Sequence, residues 1–388
     1  MKRAVVPEAL KTILEGRTRL LVPAESLTRK APATFPVFFN PAAKLNRDVS
    51  VAIAAVTRPK TYLDALAGTG ARAVRVSREA APEAMVTMVD FNEASLSVAA
   101  QNVRKNRVGK RCSLVHSEVN RFLYSRFERD EKFDAVDVDP FGSPAPYLQA
   151  ALVASADRGT LSFTATDAAV LCGVYPEVAL RRYGAAAPRS EFVHETAVRI
   201  LAGFAARIGG INDIGVRPIA AHSTLHYLRV YLRVERGATR ADESQKNLGY
   251  VTQCNGCYSR FSGDGPLARC PKCSTKVRSA GPLWVGKLCD EKALTQAAAF
   301  CAKQKWTDAA GTVSSLSGVD AFPPFSYSLE RAASRIGRSS VPVEVVMERL
   351  RSSGFKCVRQ PFEELSLKTD ADCDELQEAV KGVSGALA

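Results

Sequence analysis

Short apolar runs alternate with amphipathic stretches between residues 61 and 236, and this alternation predicts a sheet covered by helices. The apolar runs are rich in β-branched residues, and seven of them are predicted strands: 61–66, 85–90, 113–116, 133–138, 160–166, 214–221 and 227–234. The main predicted helices between them are 71–79, 93–106, 120–129, 145–156 and 192–208. Five strand–helix units followed by two strands without a long helix between them predict a doubly wound α/β sheet closed by an antiparallel hairpin.

The ends of the first three predicted strands carry residues that suit a nucleoside. After Asp64, Gly68 and Gly70 let the backbone turn tightly and approach a ligand at a helix N-terminus. Asp90 ends the second strand, where an acidic residue binds ribose hydroxyls, and Glu118 follows the third strand, where it can face an adenine amine. Taken alone, this Gly-x-Gly-x-x-Ala turn fits NAD as well as S-adenosylmethionine.

The fourth predicted strand stops abruptly at Asp139-Pro140-Phe141-Gly142, because proline and glycine do not continue a central strand. This corner suits methylation of an exocyclic nucleobase amine. The Asp139 carboxylate and the Pro140 carbonyl can accept both amine hydrogens and aim the nitrogen lone pair at a methyl donor. Phe141 can stack on the base, and the carboxylate can take up the released proton. For this stretch alone, a strand-ending turn with a packed phenylalanine is the structural alternative.

A hydride-transfer enzyme has no use for such a corner, so the pattern favours S-adenosylmethionine over NAD. The predicted fold is therefore that of a class I S-adenosylmethionine-dependent methyltransferase, with a Rossmann-like seven-stranded sheet.

The charge balance indicates a polyanionic partner. The chain has 53 lysines and arginines against 40 acidic residues, a net charge of +13. Nucleic acid is the commonest such partner, and a generally basic, soluble protein is the alternative. No apolar run reaches membrane-spanning length and the N-terminus lacks a signal-peptide hydrophobic region, so we expect a cytoplasmic protein. No obligate protein partner is expected.

Four of the ten cysteines have the spacing of metal ligands. Cys254 and Cys257 form one Cys-x-x-Cys knuckle, and Cys270 and Cys273 form a second after twelve intervening residues. Four thiolates close a tetrahedral site, so a structural zinc ion in a zinc-ribbon-like unit is predicted, with an iron–sulfur centre or disulfides as alternatives.

A polar, charged stretch ahead of these cysteines predicts the domain boundary. Residues 1–240 would comprise an N-terminal extension (1–36) and the methyltransferase domain, and residues 241–388 a C-terminal α+β domain. In the latter, a helix beginning at Ser340 and a short strand at 355–359 are expected. Candidate phosphate contacts there are Arg331, Arg335, Arg338, Arg349, Arg351 and Lys356, with a solvated basic face as the alternative.

With these motifs assembled, the chain resembles the tRNA guanosine-26 dimethyltransferase family over nearly its full length. The segments that carry the resemblance are 16–23, VFFNP at 37–41, NRD at 46–48, DPFGSP at 139–144, TDAAVLCG at 166–173, HE at 194–195, HYLR at 226–229, GPLW at 281–284 and KTD at 368–370. The DPFGSP and TDAAVLCG strings are the most specific. Arg359-Gln360-Pro361 departs from the Arg-Thr-His that is common in the family, so no role for that histidine transfers.

The resemblance implies methylation of the exocyclic amine of guanosine 26 in tRNA, first to N2-methylguanosine and then to N2,N2-dimethylguanosine. The implied cofactor-binding residues are Arg47, Asp64, Gly68, Gly70, Arg72, Asp90, Phe91, Glu118 and Val119. The implied catalytic residues are Asp139, Pro140, Phe141 and Phe38, with the two phenylalanines flanking the guanine. The C-terminal domain would help to hold tRNA, and the four cysteines would bind zinc. Taken alone, Arg47 is favoured as a surface charge, and Glu118 stands where the family usually has aspartate.

Two other functions are open at this point. One is a methyltransferase that acts on another exocyclic base amine in RNA or DNA. The other is a non-enzymatic zinc-ribbon RNA-binding protein, which would leave Asp90 and the corner at Asp139 unexplained and predicts no cofactor binding.

Overall fold

The strands of this computed structural model, which describes residues 9–28, 36–338 and 341–383, fall into four sheets. An N-terminal hairpin consists of β1 (Leu10–Glu15) and β2 (Thr18–Pro23). The largest sheet contains β3 (Thr61–Asp64), β4 (Met85–Asp90), β5 (Cys112–His116), β6 (Phe133–Val138), β7 (Ser155–Ala165), β8 (Ile214–Thr224) and β9 (Tyr227–Arg236). The remaining strands are β10 (Leu248–Gln253), β11 (Arg260–Gly263), β12 (Ser279–Trp284), β13 (Tyr327–Ser328), β14 (Cys357–Arg359) and β15 (Ser366–Thr369).

The first group of helices lies between residues 44 and 210. They are α1 (Lys44–Thr57), α2 (Ala71–Arg75), α3 (Glu93–Lys105), α4 (Val119–Glu128), α5 (Leu148–Ala154), α6 (Ala168–Leu171), α7 (Pro176–Tyr183) and α8 (Val193–Gly210). The later helices are α9 (Ala238–Gln245), α10 (Glu291–Lys303), α11 (Thr307–Ser315), α12 (Leu329–Arg335), α13 (Val343–Ser352) and α14 (Cys373–Lys381). Among the described residues, no helix is long and apolar enough to cross a membrane.

The largest sheet has the strand order β5-β4-β3-β6-β7-β9-β8. Strands β3 to β7 run parallel, and β9 pairs antiparallel with both β7 and β8. This confirms the predicted doubly wound sheet closed by an antiparallel hairpin. The strand order reverses between β3 and β6, and the carboxyl ends of strands at such a switch point are where open α/β sheets bind ligands.

Most predicted boundaries lie close to the observed ones, and those of β4 and β6 agree at both ends. The predicted helix 71–79 is α-helical only to Arg75 and continues as a π-helical turn over Val76–Ala80. The predicted helix 145–156 ends at Ala154, and β7 begins at Ser155 rather than at 160. The sequence Ser-Ala-Asp-Arg-Gly at 155–159 is polar and lacks the apolar pattern of a strand, which is why this early start was missed.

The N-terminal hairpin packs against the methyltransferase-like part of the chain through both apolar and polar contacts. Leu20 and Val22 of β2 are fully buried in a small cluster with Phe39. The amide side chain of Asn102 in α3 donates to the Leu21 carbonyl and accepts from the Leu21 N–H. Within the described residues this confirms a packed N-terminal extension, and residues 1–8 and 29–35 of that prediction lie outside them.

The C-terminal part contains two small sheets and a second hydrophobic core. The cysteine-bearing sheet has the order β11-β10-β12, and the second has the order β13-β15-β14. Helix α13 buries the four apolar residues of its predicted face, and β14 occupies most of the predicted strand 355–359. The predicted helix start at Ser340 lies outside the described residues. Because the core of the largest sheet continues through Leu294 to Val319, the domain boundary after residue 240 stays a prediction.

A buried charge network joins α8 to the C-terminal part. The carboxylate of Glu195 accepts hydrogen bonds from Arg199, one helical turn away, and from Lys368 of β15 at 2.7 Å. Gln360 donates to the second oxygen of the same carboxylate. The side chains of Glu195, Arg199 and Lys368 are each at most 2% exposed. The i,i+4 pair of Glu195 and Arg199 is therefore part of a larger structural cluster.

Removing the Glu195 carboxylate tests how strongly this network stabilises the fold. Glu195→Ala leaves the Lys368 ammonium and the Arg199 guanidinium buried without their carboxylate, so we expect the free energy of unfolding to fall by about 3–5 kcal/mol. Urea unfolding followed by circular dichroism measures the change. The control is Glu378→Ala, which removes an exposed pair with Lys381 and should cost less than about 1 kcal/mol. Equal losses in the two variants would contradict a stabilising role for the buried network.

Candidate active site

A cavity of about 420 Å³ opens at the carboxyl ends of β3, β4 and β6, beside the switch point of the sheet. Ten of the predicted cofactor-binding and catalytic residues line it: Phe38, Arg47, Asp64, Gly68, Arg72, Asp90, Phe91, Asp139, Pro140 and Phe141. The other three predicted residues, Gly70, Glu118 and Val119, are not among the lining residues. The structure therefore brings together most of the site that the sequence pattern predicts.

The glycine-rich turn after β3 shapes one wall of the cavity. Gly68 and Gly70 both have positive φ angles, of 52° and 71°. The N–H of Gly68 donates to the Asp90 carboxylate at 2.7 Å, and the N–H of Asn92 donates to the other Asp90 oxygen at 2.8 Å. An added Cβ on Gly70 would lie only 2.9 Å from the sulfur of Met88, so this glycine allows α2 to pack closely on the sheet. Gly68 thus fixes the Asp90 carboxylate, whereas Gly70 serves packing.

Glu118 and Val119 stand at the beginning of α4. Both carboxylate oxygens of Glu118 accept backbone N–H groups, from Asn120 at 2.9 Å and from Arg121 at 2.8 Å, which makes Glu118 the N-cap of this helix. Val119 is buried in the main core. The predicted contact of Glu118 with adenine stays a prediction.

The predicted catalytic corner is tied to the end of the neighbouring strand. Gly142, with a φ of 79°, donates its N–H to the Thr166 hydroxyl at 2.7 Å and accepts the Thr166 N–H at 2.8 Å. Phe141 is 64% exposed, and its ring meets the ring of Phe38 edge to face at a centroid distance of 4.6 Å. The two phenylalanines predicted to flank a base therefore stand together at the mouth of the cavity.

Two buried arginines surround the carboxylates of β6. The Arg72 guanidinium forms ion pairs with both Asp137 and Asp139. Arg229 of β9 pairs with the other oxygen of Asp137 and donates to the Thr164 hydroxyl at 2.6 Å. The sequence pattern predicts no site role for Asp137, Arg229 or Thr164. A signal for the first was present, because residues two apart on a strand share a face, so Asp137 must lie beneath Asp139 at the same end of the sheet.

The arginines decide the charge of the predicted catalytic carboxylate. Burial raises the pKa of Asp139, but the positive charges of Arg72 and Arg229 and the hydrogen bonds from Arg72 and Thr164 outweigh it and hold the pKa below its usual range. Asp139 is therefore an ionised hydrogen-bond acceptor at neutral pH.

Asp64 experiences a different environment in the same cavity. Burial, opposed by Arg72 and reinforced by the charges of Asp137, Asp139 and Asp90, raises the pKa of Asp64 to about 7. In the described part of the chain, no lysine, arginine or histidine lies within ion-pair distance of this carboxylate. Within one cavity, the pKa of Asp64 is thus raised and that of Asp139 lowered.

Arg47 is buried, only 5% exposed, so its interpretation as a surface charge is wrong. Its guanidinium is held by both oxygens of Glu15 in the N-terminal hairpin, at 2.8 and 2.5 Å, and by the carbonyl of Asn40 at 3.0 Å. Arg75 of α2 reaches the same Glu15 and also Asp48 of α1 at 2.6 Å. The hairpin therefore supplies the carboxylate that fixes Arg47 at the cavity wall.

The four clustered cysteines fit a single metal ion. Their sulfur atoms all lie within 4.8 Å of one another, with Cys254 and Cys273 at 3.5 Å and Cys257 and Cys270 at 3.5 Å. A tetrahedron of thiolates at about 2.3 Å from zinc has sulfur separations close to these. The disulfide alternative is excluded in this structure because the sulfur atoms are too far apart for an S–S bond of about 2.05 Å.

Asp64→Asn tests the unusual environment of this carboxylate. Since the folded state raises the pKa of Asp64 from 3.8 to about 7, its neutral form favours folding below pH 4, and this contribution is lost as the pH rises through 7. Asparagine does not ionise, so the variant should gain stability relative to the parent as the pH rises from 4 to 8, by on the order of 4 kcal/mol at pH 8. Urea unfolding at several pH values measures this gain. Parallel curves for parent and variant would contradict the prediction, and the exposed control Asp242→Asn should give such parallel curves.

Comparison with known proteins agrees with the geometry of the site. The model of the family "N2,N2-dimethylguanosine tRNA methyltransferase" matches residues 16–381. The tRNA (guanine(26)-N(2))-dimethyltransferase of Methanopyrus kandleri is 36% identical over 381 residues, covering 97% of this chain and 98% of that protein. The protein of the same name from Methanothermobacter thermautotrophicus is 35% identical, with 96% and 99% covered.

A solved structure extends the likeness to three dimensions. Trm1 from Pyrococcus horikoshii, in complex with S-adenosyl-L-methionine, superposes with a TM-score of 0.84 at 30% identity, covering 95% of this chain and 99% of that one. The corner at Asp139, the cavity beside it and these matches over nearly the full length lead to one conclusion. The chain belongs to the N2,N2-dimethylguanosine tRNA methyltransferase family.

Proposed function

We propose that this protein transfers methyl groups from S-adenosylmethionine to the exocyclic amine of guanosine 26 in tRNA, giving N2-methylguanosine and then N2,N2-dimethylguanosine. The observation that carries the proposal is the position of the ionised Asp139 and the Pro140 carbonyl at the cavity whose wall bears Asp90. The curated relatives of the same family carry the name of this activity.

The residues of the cavity fit the parts of S-adenosylmethionine. Asp90 keeps free lone pairs for ribose hydroxyls while backbone N–H groups hold it in place, and the exposed ring of Phe91 stands beside it. Arg47 and Arg72 line the same cavity, which supports their predicted contact with the carboxylate end of the cofactor. When bound, the cofactor supplies a methyl group on a positively charged sulfur.

Asp139 and Pro140 would orient the amine rather than activate it by strong base catalysis. The lone pair of a guanine amine is delocalised into the ring, so two acceptors that fix both of its hydrogens help to direct the lone pair towards the methyl donor. The low pKa of Asp139 makes it a weak base. A weak base suffices, because the nitrogen becomes cationic and acidic as the C–N bond forms, and its proton then passes to Asp139 and on to solvent.

Methyl transfer to unmodified tRNA tests this function. Labelled S-adenosylmethionine should give dimethylguanosine in the parent protein, and the product should disappear when guanosine 26 of the tRNA is replaced. Asp139→Asn should lower kcat by about 10²–10⁴-fold while the Kd for S-adenosylmethionine changes little, since the acceptor is lost but the cofactor contacts remain. Nucleoside analysis and equilibrium cofactor binding measure the two effects.

Three outcomes would count against this assignment. Label on another base would point to the alternative substrate, and tRNA binding without any label would point to a binding module. Equal loss of transfer and cofactor binding in Asp139→Asn would remove its proposed role. The exposed Asp242→Asn should leave both quantities unchanged.

We also propose that the four cysteines bind one structural zinc ion. Two knuckles that bring four sulfur atoms within 4.8 Å support a closed, four-coordinate site without an open position for substrate. Residues 241–388 would then form a zinc-bearing C-terminal domain that helps to hold tRNA, and a tRNA substrate supports a cytoplasmic location. The second hydrophobic core around Leu329, Val346 and Leu376 supports this division of the chain.

Metal analysis of the purified protein should find about one zinc per chain. Cys270→Ser should lose the metal and unfold at a lower temperature, because the ion joins the two knuckles. Cys112→Ser changes a thiol of β5 outside the cluster, so it should keep the metal. Iron in place of zinc, or full zinc content in Cys270→Ser, would contradict the proposal.

A further inference from the structure

A basic groove runs between the methyltransferase-like part of the chain and the cysteine-bearing sheet. It consists of two adjoining cavities of about 560 and 390 Å³, which share Arg189, Ser190, Gln253 and Asn255. One wall is the segment that follows α7. The other wall is formed by β10, by residues 276–280 around the start of β12, and by helix α12.

The lining of this basic groove is strongly positive. It contains five exposed cationic side chains, Arg189, Lys276, Arg278, Arg331 and Arg335, against one carboxylate, Glu191. Within the described part of the chain, none of the five has a carboxylate within 4.0 Å; the arginine that pairs with Glu191 is Arg260, which does not line the groove. Five uncompensated charges in one groove attract a polyanion.

Glu191 does not offset these charges, because its carboxylate already pairs with an arginine outside the groove lining. It accepts from Arg260 at 2.7 Å and from the Tyr258 hydroxyl at 2.6 Å. The Arg260 side chain is fully buried, with its guanidinium 3.9 Å from the centre of the Tyr327 ring. The ion pair of Glu191 with the buried Arg260 therefore leaves the exposed cations of the groove to a ligand.

One end of the basic groove is connected to the proposed active site through the chain segment that contains α6. Its near end is lined by Gly173 and Pro176. Gly173 follows the four-residue helix α6, and Thr166, two residues before α6, is bonded to Gly142 of the catalytic corner. At 1.5 Å per residue, α6 spans about 6 Å. A nucleic acid whose target base occupies the cavity would thus meet the groove within a short distance.

The lining also indicates which part of a nucleic acid it contacts. The two aromatic residues of the lining, Phe192 and Tyr258, are each 2% exposed, so no described residue of the groove offers a ring for stacking. Exposed guanidinium and ammonium groups without stacking rings are typical of phosphate contacts. Arg335 is already oriented by the carbonyls of Asn255 and Gly256.

We propose that the basic groove binds the sugar–phosphate backbone of tRNA outside the target nucleotide, and that both parts of the chain hold the substrate there. This inference rests on the proposed function, because it assigns the partner of the same active site. The arginines predicted to contact phosphate divide into those that line the groove and those that lie elsewhere. Arg331 and Arg335 line the groove, whereas Arg338 donates to the Val383 carbonyl and Arg351 to the Cys357 carbonyl.

Salt dependence of tRNA binding tests the groove. We expect Arg278→Gln on one wall and Arg331→Gln on the other each to weaken tRNA binding at low salt. Each should lower the slope of log Kobs against log salt concentration by about 0.7–0.9, and the double variant by about twice that. The kcat at saturating tRNA and the Kd for S-adenosylmethionine should not change, since neither residue reaches the cavity. Lys60→Gln, an exposed residue at the amino end of β3, is the matched control and should bind as the parent does.

A short stem–loop that contains the target guanosine but lacks the rest of the tRNA separates groove contacts from active-site contacts. The parent and the two groove variants should bind it equally. If the groove variants bind full-length tRNA as well as Lys60→Gln does, the proposed role of the groove is wrong. Methylation of tRNA by the parent would still support the proposed function in that case. If the groove variants bind the stem–loop and full-length tRNA with equally weakened affinity, the proposed role of the groove is also wrong. Loss of methylation at guanosine 26 in the parent itself would instead count against the proposed function.

Discussion

The buried ion pairs of Arg72 constrain the catalytic end of the sheet more than any other interaction. Arg72 is 6% exposed and joins Asp137 to Asp139, and Arg229 completes the array from β9. An unpaired buried charge lowers the free energy of unfolding by several kcal/mol. The corner after β6 therefore cannot move away from Arg72 without a loss of stability of that size. The same array sets the charge of Asp139. One set of contacts thus fixes both where the carboxylate stands and that it is ionised, which is the preorganisation that a positioning mechanism requires.

Helix α2 links this array to a second one. Arg72 and Arg75 are three residues apart and extend from the same short helix. Arg75 is fully buried and contacts Glu15, Asp48 and Glu79, while its guanidinium lies 4.7 Å from the ring of Trp306. The N-terminal hairpin, helices α1 and α2 and the start of α11 after the cysteine-bearing sheet therefore meet at one buried cation. This explains why a hairpin distant in sequence takes part in shaping the cavity.

Local patterns predicted the sheet, the glycine-rich turn and the corner at Asp139, because each depends on residues within a few positions of one another. Several contacts of the buried arrays join residues 60 to 92 positions apart, such as Arg75 with Glu15 and Arg229 with Asp137, which no local pattern records. Arg47 was favoured as a surface charge for the same reason, since its partner Glu15 lies in a hairpin that the sequence analysis did not divide into strands. Glu118 shows the opposite case, in which a local role as the cap of α4 competes with a predicted role at the ligand.

Asp139 and Asp64 show how one site can suit a zwitterionic cofactor and a nucleobase amine together. Asp139 has a direct arginine partner and stays charged, whereas burial, reinforced by the charges of three other carboxylates, raises the pKa of Asp64 to about 7. A positive group placed near Asp64 would relieve that repulsion, and S-adenosylmethionine carries two, the ammonium and the sulfonium. Arg47 and Arg72 line the same cavity. Carboxylates that gain from a nearby cation favour a ligand with positive charge over a simple anion such as a nucleotide phosphate, and this supports S-adenosylmethionine on electrostatic grounds that are independent of the family likeness.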